Sequence, residues 1–142
     1  MVKRKLFLIV VAIPLIGSVI MSSCAKDKKD TPTPVISSHV YKGDFTSSAH
    51  PTSGSASINR EKTELGFHNF KTDSGPDLNV YLVSDLSDIK SDYIDLGDIK
   101  GIDGNYSYAL TDSIDFSKYK YVVVWCVKFD VNFGYATIEK VI

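Results

Sequence analysis

The chain has 142 residues, of which 44% are hydrophobic and 23% charged, with seven Phe and eight Tyr. That is the length of one ordinary domain, and so many aromatic residues exclude a chain disordered throughout. The formal net charge is -1 and there is no basic cluster outside the N-terminus, which argues against nucleic acid as a partner, because phosphate neutralisation dominates that affinity.

Residues 1–23 have the order of an export signal: basic Lys3, Arg4 and Lys5, an apolar run over 6–20 broken only by Pro14, Gly17 and Ser18, then small Ser22 and Ser23 before Cys24. The run is shorter than the roughly 20 residues that span a bilayer. Met21-Ser22-Ser23-Cys24 resembles a lipobox, in which the cysteine after the cleavage site takes a diacylglyceryl group. Residues 1–23 are therefore expected to be a cleaved lipoprotein signal peptide, and Cys24 the lipidated residue that holds the protein at the membrane. Each buried acyl CH₂ contributes about 0.8 kcal/mol, so a multiply acylated cysteine anchors a soluble domain stably. Cleavage removes three cations and leaves 13 basic against 17 acidic residues, a formal charge of about −4. Residues 24–38, charged and bearing Pro32 and Pro34, read as the lipidated cysteine and a flexible tether. The expected location is a bacterial cell envelope, at the outer membrane, with the domain periplasmic or surface-exposed.

Residues 39–142 show short runs of β-branched and aromatic residues separated by Gly, Asp, Asn and Ser. The pattern predicts strands over 39–45, 55–59, 64–70, 78–83, 93–96, 106–110, 121–129 and 135–141. About eight strands without a long helix predict an all-β domain, an antiparallel sandwich or flattened barrel, here expected to be a monomer. The segment 84–91 carries Leu86 and Ile89 three apart, which suits one helical turn. Val122, Val123, Val124, Trp125 and Cys126 make the densest apolar stretch, so 121–129 should be a central strand buried on both faces. Strand alternation puts Trp125 and Cys126 on opposite faces. A tight connection over 130–134, with Gly134 in a left-handed conformation, should pair the last strand with this central one.

Four stretches carry a family likeness. They are Gly75-Pro76-Asp77-Leu78 with the strand that follows, Leu96-Gly97-Asp98-Ile99-Lys100-Gly101 with Gly104-Asn105-Tyr106, Trp125-Cys126 leading to Phe133-Gly134-Tyr135-Ala136, and the opening Gly43 and Phe45. In this order they resemble the DM13 domain, a small extracytoplasmic module proposed to take part in electron transfer. The likeness runs from about Tyr41 to Ile138. It implies that the single cysteine of the domain, here Cys126, is the redox centre, acting as a bare thiol or as a ligand for a prosthetic group such as haem, and it implies a redox partner in the envelope.

The residues themselves leave two readings of Cys126 open. Once Cys24 is lipidated no intramolecular disulfide is possible, and an unpaired cysteine in an exported protein calls for an explanation. It is a redox thiol or soft ligand, or a small hydrophobe in a central strand. In the second case the module is a non-catalytic sandwich that binds an envelope partner or fills a structural role. His68, beside Phe67, is the best intrachain partner for Cys126 if a metal or haem binds. His39, His50 and His68 have no metal-ligand spacing, so no metal site is expected from them. The run Asp85, Asp88, Asp92, Asp95, Asp98 and Asp103 lacks calcium-loop spacing and reads as turns and solvated positions. Asp112-Ser113-Ile114 resembles a bacterial O-glycan acceptor triplet. No hydrolase or transferase motif is present, so any activity is at most a redox role.

Replacing Cys24 with Ala should abolish incorporation of labelled palmitate and leave the chain soluble or unprocessed. Label on the variant would refute the lipid anchor.

Overall fold

The computed structural model of the chain describes residues 38–111 and 113–141. The expected signal peptide, the expected lipidation site Cys24, the expected tether up to residue 37 and Asp112 of the glycan-like triplet lie outside them. The described residues form nine strands and no helix: β1 (His39–Ser47), β2 (Thr52–Asn59), β3 (Glu64–Thr72), β4 (Leu78–Val83), β5 (Tyr93–Asp98), β6 (Asp103–Ala109), β7 (Tyr121–Cys126), β8 (Val131–Thr137) and the short β9 (Glu139–Lys140). The fold is the all-β class expected from the alternating pattern.

The strands join in the order β5-β4-β7-β8-β1-β2-β3-β6, with β9 also on β1, and every pairing is antiparallel. The sheet folds over itself at β1. Residues 39–44 of β1 pair with β2, and residues 45–47 pair with β8. One half, β1-β2-β3-β6, therefore faces the other, β8-β7-β4-β5, and their inner faces share one core. Ile58, Leu65, Phe67, Phe70 and Tyr108 come from the first half, and Leu78, Val80, Leu82, Val122, Val124 and Cys126 from the second. A fully buried side chain of this size contributes about 1.5–3 kcal/mol, so this shared core is what holds the halves together.

β7 is buried on both faces, as its valine run predicts. Val122, Val124 and Cys126 face the shared core, while Val123 and Trp125 face outward into a second cluster with Tyr81, Val83 and Ile89. Leu86 and Ile89 of the β4–β5 connection cover that outer cluster. The expected helical turn there is absent. Bends and one turn, closed by the Ser91 N–H on the Asp88 carbonyl at 3.1 Å, bring the two apolar residues down without a helix.

The β7–β8 hairpin pairs the last long strand with the central one, as expected, but its turn is earlier than the sequence suggests. β7 stops at Cys126, and residues 127–130 make the turn, closed by Asp130 in the left-handed region at φ 57°. Gly134 lies inside β8 and not in a turn. Its hydrogen makes room for Thr52, whose Cβ and Oγ1 would sit 2.4 Å from a Cβ at this position.

Antiparallel pairing throughout makes β1, β3, β5 and β7 run one way and β2, β4, β6 and β8 the other. The connections 48–51, 73–77, 99–102 and 127–130 therefore gather at one end. The chain enters the domain at the opposite end.

Gly43 sits where β1 changes partners, and a Cβ there would lie 2.0 Å from the Thr137 carbonyl oxygen and 2.6 Å from its carbon. The nearest atoms are all backbone, of Thr137 and Ile138, so nothing flexible is there to yield. Gly43→Ala should destabilise the full-length chain by about 3 kcal/mol or more, at the upper end for a single methyl. Urea unfolding measures it, and a cost near zero would show that the crossover is not as tight as described.

Candidate functional site

Cys126 is the last residue of β7, opposite Leu78 of β4 and Val131 of β8. Inward alternation places it in the shared core, where it is 0% exposed. Its S–H donates to the Pro76 carbonyl at 3.0 Å. This bond uses the S–H proton, so it is made by the reduced, protonated thiol.

Pro76 belongs to the β3–β4 connection, which lies across the loop end directly over the sulfur. The connection is pinned from both sides. The Val127 N–H donates to the Asp77 carbonyl at 2.9 Å, and the Ile99 N–H donates to the Leu78 carbonyl at 2.8 Å. Gly75 makes the close descent possible, since a Cβ there would lie 2.6 Å from Phe133 Cζ. Asp77 turns the chain in the left-handed region at φ 62°, a conformation that Asp tolerates better than most residues. Outside this cover is a recess of about 250 Å³ lined by Gly75, Asp77, Leu78, Asp98, Ile99 and Ile102. Ile102, Val127 and Phe129 are exposed to 40%, 41% and 60%. The thiol thus lies one layer of backbone below an end surface with unusual apolar exposure.

The structure does not bring His68 to Cys126. Phe67 points into the shared core, so its neighbour His68 emerges on the opposite, outer face of β3. There its Nε2 meets Ser57 Oγ at 2.7 Å and its ring lies 5.6 Å from that of His39. Burial, then the nearby His39 and Lys42, hold the His68 imidazole below its ordinary pKa, against the opposing pull of Glu64. His50 belongs to the loop end and is half-buried, stacked on Phe133 at 3.8 Å and paired with Asp73 at 3.0 Å.

Carboxylates of the acidic run serve the turns. Asp85 Oδ1 accepts from the Ser87 N–H and hydroxyl, both at 2.8 Å, and these bonds hold the carboxyl below its ordinary pKa. Asp95 accepts from the Asn79 amide and the Gly97 N–H. Among the described residues no three His, Cys, Asp or Glu side chains converge to hold a metal.

Behind Cys126, Trp125 begins an aromatic column that sequence reading did not single out. Tyr81 stacks on Trp125 at 6.3 Å and on Tyr93 at 4.5 Å, and Tyr93 reaches the surface. Burial, then the Asp95 carboxylate, pushes the Tyr81 hydroxyl up to about 12. The signal for this column was present in the alternation of 78–83 and 121–126, but which aromatic residues meet across β4, β5 and β7 depends on register.

A haem or metal at Cys126 can be tested against these surroundings. Ligand pockets usually measure roughly 300–1,000 Å³ and open onto their anchoring groups, whereas Cys126 is enclosed by close-packed Leu78, Val124 and backbone. The sulfur's hydrogen bond is already made, and no histidine shares its face. The arrangement does not fit a prosthetic group on this sulfur.

The fold and site define a small all-β sandwich with one enclosed thiol beneath its loop end. A family model described as electron transfer DM13 matches residues 44–138, more than half of the chain. The chain belongs to the DM13 family. No curated protein and no solved structure matches it. The matched span contains Cys126, His68 and the Pro76 cover, but neither Cys24 nor His39.

Replacing Cys126 with Ala should cost about 1–2 kcal/mol, the lower range for core truncations. From the strand pattern alone a serine would be expected to cost more than alanine, for want of a partner. The Pro76 carbonyl supplies that partner, so Cys126→Ser should cost no more than Cys126→Ala. Chemical denaturation of both variants is the measurement, and a serine clearly worse than alanine would contradict the bond.

Proposed function

We propose that this chain is an electron-transfer accessory of the bacterial envelope, held at the outer membrane through a lipid on Cys24, with the Cys126 thiol as its redox centre. Membership of a family described as electron transfer is the observation that carries the reading. Two features support the finer assignment. Cys126 is the only cysteine among the described residues, and it lies at the loop end, remote from where a tether would join. In a membrane-held domain this thiol would serve an envelope redox partner.

A specific observation favours a second reading. Cys126 is fully enclosed and its S–H is already bonded, which suits a packing residue in a module that only binds or supports other envelope proteins. In that reading the thiol titrates only after unfolding.

The two readings separate on one set of samples. The full-length protein and its Cys126→Ala and Cys126→Ser variants are first shown folded by circular dichroism. Their thiol content is then titrated with and without denaturant, and cellular function is scored by complementation. The redox reading expects thiol chemistry in the folded wild type, and loss of function in both folded variants. Folded Cys126→Ala with wild-type function would remove Cys126 as the redox centre.

A further inference from the structure

On the outer face of the β1-β2-β3 half, away from Cys126, His39, Lys42, Ser55, Ser57, His68 and Asn69 line a recess of about 300 Å³. Three strands contribute, and each departs from regular pairing beside a lining residue. The register of β1 shifts between His39 and Tyr41, that of β2 between Ser53 and Ser55 with Gly54 at φ 99°, and that of β3 between Phe67 and Phe70 with Asn69 at φ 46°. Bulges re-aim side chains and concentrate near functional sites, and here three of them border one concavity. Gly66 keeps the floor open, since a Cβ would lie 3.1 Å from His68 Nε2.

The chemistry of the lining selects the class of ligand. Lys42 brings an ammonium, the imidazoles of His39 and His68 bring ring N–H donors, and Ser55 and Asn69 offer neutral donors. A metal ion is disfavoured by Lys42 and by the lack of a third ligand among the described residues. The Ser57–His68 contact has the form of a nucleophile and its base, but Ser57 is only 2% exposed and cannot meet a substrate. We propose that this recess binds a phosphate group, held by Lys42 and by the imidazoles of His39 and His68. The proposal is independent of the redox role of Cys126.

Proton coupling follows from the same groups. His68 faces His39 and Lys42 from β1 and Glu64 from its own strand, while β2 presents only hydroxyls. Burial and the two basic neighbours disfavour its protonated form, and a bound anion offsets that penalty. Binding should therefore take up a proton and strengthen as the pH falls through the imidazole range.

The test is a nuclear magnetic resonance titration of the histidine ring protons in the full-length chain, kept in a neutral detergent. Inorganic phosphate is the first probe. Dimethyl phosphate is the second, as a diester like that of a lipid headgroup. At about pH 5.5, phosphate should shift the His39 and His68 signals saturably and raise the His68 titration midpoint; the affinity for dimethyl phosphate, which stays a monoanion throughout, should fall as the pH rises to about 7.5. The exposed Lys42→Ala variant should weaken binding at least about fivefold, as should His68→Gln, with unfolding midpoints recorded alongside. Preference for phosphate assigns the site to a soluble monoester-type anion, and preference for the diester assigns it to a headgroup. No saturable shift with either probe at the lower pH, or equal shifts in folded Lys42→Ala, would overturn the proposal.

Discussion

The fold depends on one strand serving two half-sheets. At Phe45 the backbone of β1 pairs with Ala136 of β8, while the ring lies 5.0 Å from both Phe67 and Phe70 on β3. The same residue is thus paired with one half in the sheet and packed on the other. This crossover requires Gly43, where no side chain could lie between β1 and the Thr137 carbonyl. Without it the two apolar faces would belong to an open sheet with both sides in water. With it they share a core, and the antiparallel order carries four connections to a single end. The cover over Cys126 is a consequence of that arrangement, because the β3–β4 connection must cross from one half to the other at this end.

Much of the fold was legible as period-two alternation. The valine run announced a strand buried on both faces, and alternation separated Trp125 from Cys126 correctly. What failed were boundaries and partners. Val127 and Phe129 extend the apolar run, yet they are exposed in a turn, because hydrophobicity alone does not report where the chain reverses. Leu86 and Ile89 have helical spacing but are brought to the sheet by bends. The double role of β1 leaves no periodic trace at all, since alternation states which face a residue takes and not which strand lies beside it.

The site was legible to a smaller extent. A cysteine within an apolar strand is visible, but a backbone carbonyl that accepts its proton carries no side-chain signal, so Pro76 was known only as part of a motif. Histidines separated by 29 positions look unrelated until β1, β2 and β3 are laid side by side with their bulges. Phe67 suggests an inward face for the whole segment, which would bring His68 to Cys126. The alternation rule applied one residue further assigns it outward, to Ser57 and His39.

The enclosure of Cys126 also constrains what kind of redox chemistry it can support. Thiol–disulfide exchange needs contact between sulfur atoms, so in this fold it must wait for the 73–77 connection to lift. Lifting it breaks the Cys126–Pro76 and Val127–Asp77 bonds and wets Leu78 and the sulfur. If that opening costs about 4 kcal/mol, the open population is on the order of a thousandth, and exchange slows in proportion. Transfer of an electron through the protein needs no such contact, but oxidation of a thiol sheds a proton, and an amide carbonyl is not a base that can keep it. Either route therefore runs through local opening. With Cys126 as the proposed redox centre, the loops that cover the sulfur would set its rate, and mild denaturant, which promotes opening, should accelerate folded-state reactivity before global unfolding begins.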